Sequence, residues 1–180
     1  MVLILYRRDP RIPLLISEKI QTCVAFSNTS ENSSHCSIAI FAASFKKVIC
    51  IDQWKSHYDT TGKDFASKPE FYDMKMVEDY FTNTVCKIYT NIEKKKMSSM
   101  DAVPLFLDNT IDVVYIDALH SYDGVKEDIG LWLPKVKKGG ILAGHDYGSK
   151  HFPGVKQAID EIFGKPDKTF KDSSWSKVVK

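Results

Sequence analysis

Glycine is scarce and late in this chain. Nine of 180 residues are glycine, the first is Gly62, and eight of the nine lie between Gly124 and Gly164. A glycine fingerprint opening the first helix, which a dinucleotide-binding dehydrogenase needs, is therefore absent. Arginine is confined to Arg7, Arg8 and Arg11. The net charge is only +2, too mild for the basic patch expected of a nucleic-acid binder. No apolar run approaches the roughly 18 residues of a membrane span. The four cysteines, Cys23, Cys36, Cys50 and Cys86, contain no CxxC pair, which argues against a zinc site. Three of them fall in apolar stretches that read as strands, where free cysteine behaves as a small buried hydrophobe. That usage suits a reducing compartment. Met1 to Tyr6 is apolar but too short for a signal h-region, and arginines follow it rather than precede it. A cytoplasmic location is expected.

What is present is a globular composition, 43% hydrophobic and 27% charged. The length corresponds to one domain spanning 1–180. Residues 1–19 read as an N-terminal segment, helical or flexible. Three roles stay open for Met1 to Pro13: packing on a second subunit of a homodimer, binding an acidic group, or forming a tail. The lysine clusters at Lys94 to Lys96 and at Lys135, Lys137 and Lys138 read as solvated faces.

Beyond residue 20 the pattern alternates short β-branched runs with longer helical segments. Expected strands are Thr22 to Ser27, Lys47 to Ile51, Val85 to Tyr89, Ile111 to Ile116 and Gly140 to Ala143. Expected helices are Ser33 to Ser44, Pro69 to Phe81, Ser99 to Phe106, Gly124 to Leu133 and Pro153 to Phe163. Thr169 to Phe170 and Trp175 to Val179 form a hairpin at the tail. Such alternation predicts an α/β fold: a Rossmann-like, doubly wound sheet with helices on both faces. Ligands of such sheets bind at the carboxyl ends of the strands, so function is sought there.

After the first strand comes a run of small polar residues, including Ser27, Asn28, Thr29, Asn32 and Ser33. It offers N–H groups and hydroxyls to a ligand at a helix start, or an ordinary N-cap. After the second comes Asp52-Gln53-Trp54, an acid suited to ribose hydroxyls followed by an apolar wall or a core tryptophan. After the fourth and fifth come Asp117-Ala118-Leu119-His120 and Gly144-His145-Asp146. Neighbouring strands would bring Asp117, His145 and Asp146 into one small volume. Two carboxylates and an imidazole can bind a divalent cation. Alternatively His145 or His120 is a general base, because histidine titrates near neutral pH.

The stretch from Ile111 to Phe163, with its IDALHSY and GHDY motifs, resembles class I S-adenosylmethionine-dependent methyltransferases, in particular a branch of small bacterial enzymes. KVICIDQW resembles that family's second strand, and Ser98 to Ala102 its segment after the third. The resemblance implies a mostly parallel seven-stranded sheet with a C-terminal antiparallel hairpin. It implies S-adenosylmethionine as cofactor, bound by the first loop, by Asp52 at the ribose and beside Ser99 at the adenine. Asp117 joins the cofactor contacts. Metal-dependent relatives place a divalent ion, here magnesium or manganese, at positions matching Asp117, His145 and Asp146. His145 departs from the carboxylates or amide found there. The expected reaction is O-methylation of a small hydroxylated substrate, with His145, His120 and Asp117 as catalytic residues. The first loop departs further. Its acid falls on Ala25, and its glycines fall on Ser27, Thr29 and Glu31, without the conformational freedom of glycine. Those substitutions motivate a second reading, a non-enzymatic descendant of the fold acting as a binding or scaffold protein.

Overall fold

The computed structural model describes residues 1–8, 41–55 and 74–180. The strand expected at Thr22 to Ser27, the polar run Ser27 to Ser33 and most of the helix expected at Ser33 to Ser44 lie outside the described residues. Most of the Trp54 to Phe71 stretch does too.

Among the described residues seven strands form one sheet: β1 (Val2–Tyr6), β2 (Lys47–Asp52), β3 (Ile92–Lys96), β4 (Ile111–Ile116), β5 (Val136–Gly144), β6 (Lys168–Thr169) and β7 (Trp175–Val178). The spatial order is β3-β2-β1-β4-β5-β7-β6. β2–β3 and β4–β5 pair in parallel. β1 runs antiparallel to both neighbours, and β7 runs antiparallel to β5 and β6. Five of the seven strands, all but β1 and β7, therefore point one way. The hairpin expected at the tail is present. The long helices are α1 (Met74–Tyr80), α3 (Tyr122–Trp132) and α4 (Pro153–Phe163), with a single turn, α2 (Ser99–Ala102), after β3. Among the described residues no helix is long and apolar enough to cross a membrane.

Two expectations are corrected. The first concerns Met1 to Tyr6, which is neither helix nor tail but carries an interior strand of the sheet, between β2 and β4. Val2, Leu3, Ile4 and Leu5 are all buried. Val2 and Ile4 face the layer of α2, α3 and α4, whereas Leu3 and Leu5 face Phe41, Phe45, Phe81 and Val85. A strand covered on both faces needs a continuous apolar run rather than alternation. Each such side chain gains about 1.5–3 kcal/mol from full burial, enough to draw the segment into the sheet's interior.

The second correction is the third strand, which lies at Ile92–Lys96 and not at Val85 to Tyr89. Helix α1 runs on through a π-turn at Phe81–Val85 and a helical turn at Cys86–Ile88. Phe81 and Val85, four residues apart, both enter the core, a helical spacing that overrides their strand preference. The lysines of β3 are matched rather than merely solvated. Glu78 meets Lys94 at 2.6 Å and Lys96 at 2.5 Å, and Glu93 meets Lys47 at 2.7 Å and Lys95 at 2.6 Å.

Candidate active site

Strands β4 and β5 place Ile116 beside Gly144 in register, so the residues that follow them emerge together. Gly144 is required there: a Cβ would lie 2.5 Å from the Ile116 carbonyl oxygen. The His145 backbone N–H donates to that same oxygen at 3.2 Å. After β4 the chain turns back within five residues, because the Ser121 side chain caps α3 by accepting from the Gly124 N–H. This tight turn returns His120 over Asp117.

The result is a four-residue cluster. His120 Nε2 lies 3.2 Å from Asp117 Oδ1 and 3.2 Å from Asp146 Oδ2. His145 Nδ1 lies 3.1 Å from the same Asp146 oxygen. Phe152 stacks on the His120 ring at 4.2 Å between centroids. Asp146 takes φ +63°, in the left-handed region that a non-glycine residue rarely occupies. Burial opposes the charge on His120, but hydrogen bonds and charge from Asp117 and Asp146 outweigh it and raise its pKa from 6.5 to about 9. His145 is raised for the same balance of reasons, with Asp117, Asp146 and Asp172 as the acids. Burial also opposes ionisation of Asp146, yet the two imidazoles hold its carboxyl well below the usual range.

The ligand atoms of Asp117, His120 and Asp146 all lie within 4.8 Å of one another. Two hard carboxylate oxygens and an imidazole in that volume fit a divalent cation. The histidine of this triad is His120, where sequence reasoning placed His145. Both ring nitrogens of His145 instead face carboxylates, Asp146 and, at 4.0 Å, Asp172.

The other expected residues are dispersed. Asp52 ends β2 next to the cluster: Met1 N donates to the Asp117 carbonyl at 2.6 Å and lies 3.5 Å from Asp52 Oδ2. Asp52 Oδ1 accepts from the Trp54 N–H at 2.6 Å, which fixes Gln53 at the apex of a tight turn. Trp54, only 7% exposed, is turned into the core against Phe81, with the Lys94 ammonium 4.7 Å from its ring. Ser99 Oγ donates to the buried Asp128 and accepts from Trp132 Nε1 at 2.8 Å. Its hydroxyl is committed to α3. Burial raises the Asp128 carboxyl. Ser27, Asn28, Thr29, Asn32 and Ser33 lie outside the described residues. Sequence reasoning missed Phe152, Asp172 and Ser174 beside the cluster. Nothing local marks Asp172 and Ser174, since only the β5–β7 pairing brings the tail hairpin here, and Phe152 arrives from the start of α4.

The sequence model of a methyltransferase-domain family matches residues 22–147. No curated protein matches. Among solved structures, the O-methyltransferase NovP is similar at 16% identity and TM-score 0.52, over 89% of this chain and 78% of that one. CalS11, a TDP-rhamnose 3'-O-methyltransferase of calicheamicin biosynthesis, is similar at 14% identity and TM-score 0.51, over 93% and 81%. Cofactor-bound Rv0187 from MTB is similar at 10% identity and TM-score 0.51, over 96% and 84%. At such identities the structures establish a shared fold, and the family match establishes the lineage. The chain belongs to the methyltransferase-domain family and is an enzyme of the class I S-adenosylmethionine-dependent type.

Proposed function

We propose that the protein O-methylates a small hydroxylated molecule at the carboxyl ends of β4 and β5. The observation that carries this reading is the convergence of Asp117, His120 and Asp146 in a methyltransferase-family chain. When bound, S-adenosylmethionine supplies a methyl group on a positively charged sulfur. An acceptor oxygen would take that methyl group, the electron pair of the broken carbon–sulfur bond remaining on sulfur. The protein's part is alignment and proton removal. In this reading Asp52, at the end of β2, accepts from the ribose hydroxyls, and its bond from the Trp54 N–H restrains the carboxylate. Gln53 and Trp54 shape that corner. Ser99 supports the adenine end through its backbone, its hydroxyl being held by Asp128 and Trp132.

His120 takes the acceptor proton. Asp117 and Asp146 stabilise the imidazolium that forms, which is why its pKa is raised. A base of this kind must first be neutral, so methyl transfer accelerates as pH rises toward 9. With magnesium or manganese present the same three residues would hold the ion instead, His120 then serving as ligand rather than base, and the metal would lower the pKa of a neighbouring hydroxyl. Isothermal calorimetry with S-adenosylhomocysteine tests the cofactor half of this reading: binding is expected, and none at millimolar ligand sinks it. A mass-spectrometric screen of catechols, sugars and phenols, run with manganese and with chelator, tests the acceptor half. Methylation confined to nitrogen or sulfur acceptors would contradict it.

A further inference from the structure

The polar cluster continues beyond Asp146 into the tail hairpin. Asp172 lies in the turn between β6 and β7, with its side chain only 7% exposed. A carboxylate so buried needs partners. Its Oδ1 accepts from the Ser174 N–H at 3.2 Å and its Oδ2 from the Ser174 hydroxyl at 2.5 Å. Ser174 Oγ, itself fully buried, lies 3.2 Å from the Tyr115 hydroxyl on β4. The Tyr147 N–H donates to the Ser173 carbonyl at 2.8 Å. The turn is thus fastened both to β4 and to the segment after β5.

On its other side Asp172 faces the cluster. Its Oδ2 lies 4.0 Å from His145 Nε2. His145 Nδ1 meets the Asp146 oxygen that His120 shares. The two ring nitrogens of His145 therefore face carboxylates from two different elements, one at hydrogen-bond distance and one at ion-pair range. Asp146 holds a left-handed backbone, and such a conformation persists only where the surroundings over-determine it.

We propose that Asp172 is a positioning residue of the active site: its carboxylate fixes the His145 ring, and His145 fixes the Asp146 oxygen presented to His120. The C-terminal hairpin then belongs to the site without touching substrate. The consequence for methyl transfer rests on the function proposed above, but the geometry can be tested apart from it.

Asp172→Asn is the informative variant. It preserves shape and an acceptor for the Ser174 N–H, so a residue that merely shapes the turn tolerates it. The protein is labelled with 15N-histidine, and His145 is assigned from His145→Gln. The parent is expected to show one sharp set of His145 ring signals. In D172N those signals broaden or split, and a crystal structure shows the ring in more than one rotamer. The melting temperature and the affinity for S-adenosylhomocysteine stay unchanged. With an acceptor from the screen above, kcat falls about tenfold or more while KM for the cofactor is unchanged. His145 signals and rotamer identical to the parent's, or an unchanged kcat, overturn the proposal. If D172N does not fold, Ser174→Ala removes the hydroxyl joining Tyr115 to Asp172 and is expected to broaden the same signals. Unaltered signals there also overturn it. A parent that binds no S-adenosylhomocysteine defeats the cofactor reading and leaves the His145 readout standing, so the two failures are distinguishable.

Discussion

Strand β4 carries an aspartate near each end, and the two are used differently. Asp112, second in the strand and 5% exposed, accepts from the Arg7 backbone N–H at 3.0 Å, Arg7 Nε at 3.2 Å and Lys137 Nζ at 3.1 Å. Asp117, just past the other end, meets His120 and, through it, Asp146. Burial works against ionisation of Asp112, but the Arg7 and Lys137 contacts hold its carboxyl below the usual range. Its partners are a guanidinium, an ammonium and a backbone N–H, groups that only donate. The partners at the other end are imidazoles, which can give up a proton or exchange it for a cation. Permanent cations make an acid a structural fastener, whereas titratable ones leave it available for chemistry.

The comparison can be broken most directly at its rigid end. Asp112→Ala removes the acceptor of three hydrogen bonds from a buried position and should cost about 3 kcal/mol of stability. Denaturant unfolding would read this, while S-adenosylhomocysteine binding by the folded fraction stays unchanged. A loss below about 0.5 kcal/mol would show that Asp112 fastens nothing. Asp146→Ala reverses the pattern. Methyl transfer should drop about a hundredfold, with a fall in melting temperature of a few degrees, smaller than that of Asp112→Ala. Retention of full turnover would remove Asp146 from the site.

The smallest effect separates the two ends by pH. His120 has its folded pKa raised to about 9 from 6.5. The stability it contributes is fully present below 6.5 and is lost as pH rises through about 9. Asp112 has its folded pKa lowered. Its contribution is present above the ordinary value of 3.8 and is lost as pH falls through its depressed value. Raising the pH from 6.5 to 9 should therefore lower the melting temperature of the parent by a few degrees and that of His120→Asn by less, since His145 alone then contributes. Strong acid should lower both. Parallel curves for parent and variant across the alkaline range would show that His120 gains nothing from its carboxylates.

Much of this was legible in the sequence, for identifiable reasons. The strand Ile111–Ile116 and the helix Pro153–Phe163 match their expected bounds. In both, local pattern and tertiary demand agree: an apolar run suits a strand covered on both faces, and Pro153 and Gly164 mark the helix ends. The convergence of Asp117, His120, His145 and Asp146 followed from placing polar residues just after adjacent strands. β3 was not legible, because its sequence, Ile-Glu-Lys-Lys-Lys, has little strand preference. Glu78 on α1 and Lys47 on β2 supply the missing compensation. β1 was not legible either, since an apolar hexapeptide does not state which strands it will join.

The scarcity and placement of glycine already ruled out a dinucleotide fingerprint, and the order of motifs already indicated the methyltransferase family and the strand ends where its chemistry belongs. Those are local properties, fixed by which side chains follow one another. Which histidine faces both carboxylates, that Ser99 and Trp54 turn away, and that Asp172 reaches the cluster were decided by tertiary structure alone. Each depends on register between strands distant in sequence, and a one-residue shift would point the side chains to the other face of the sheet.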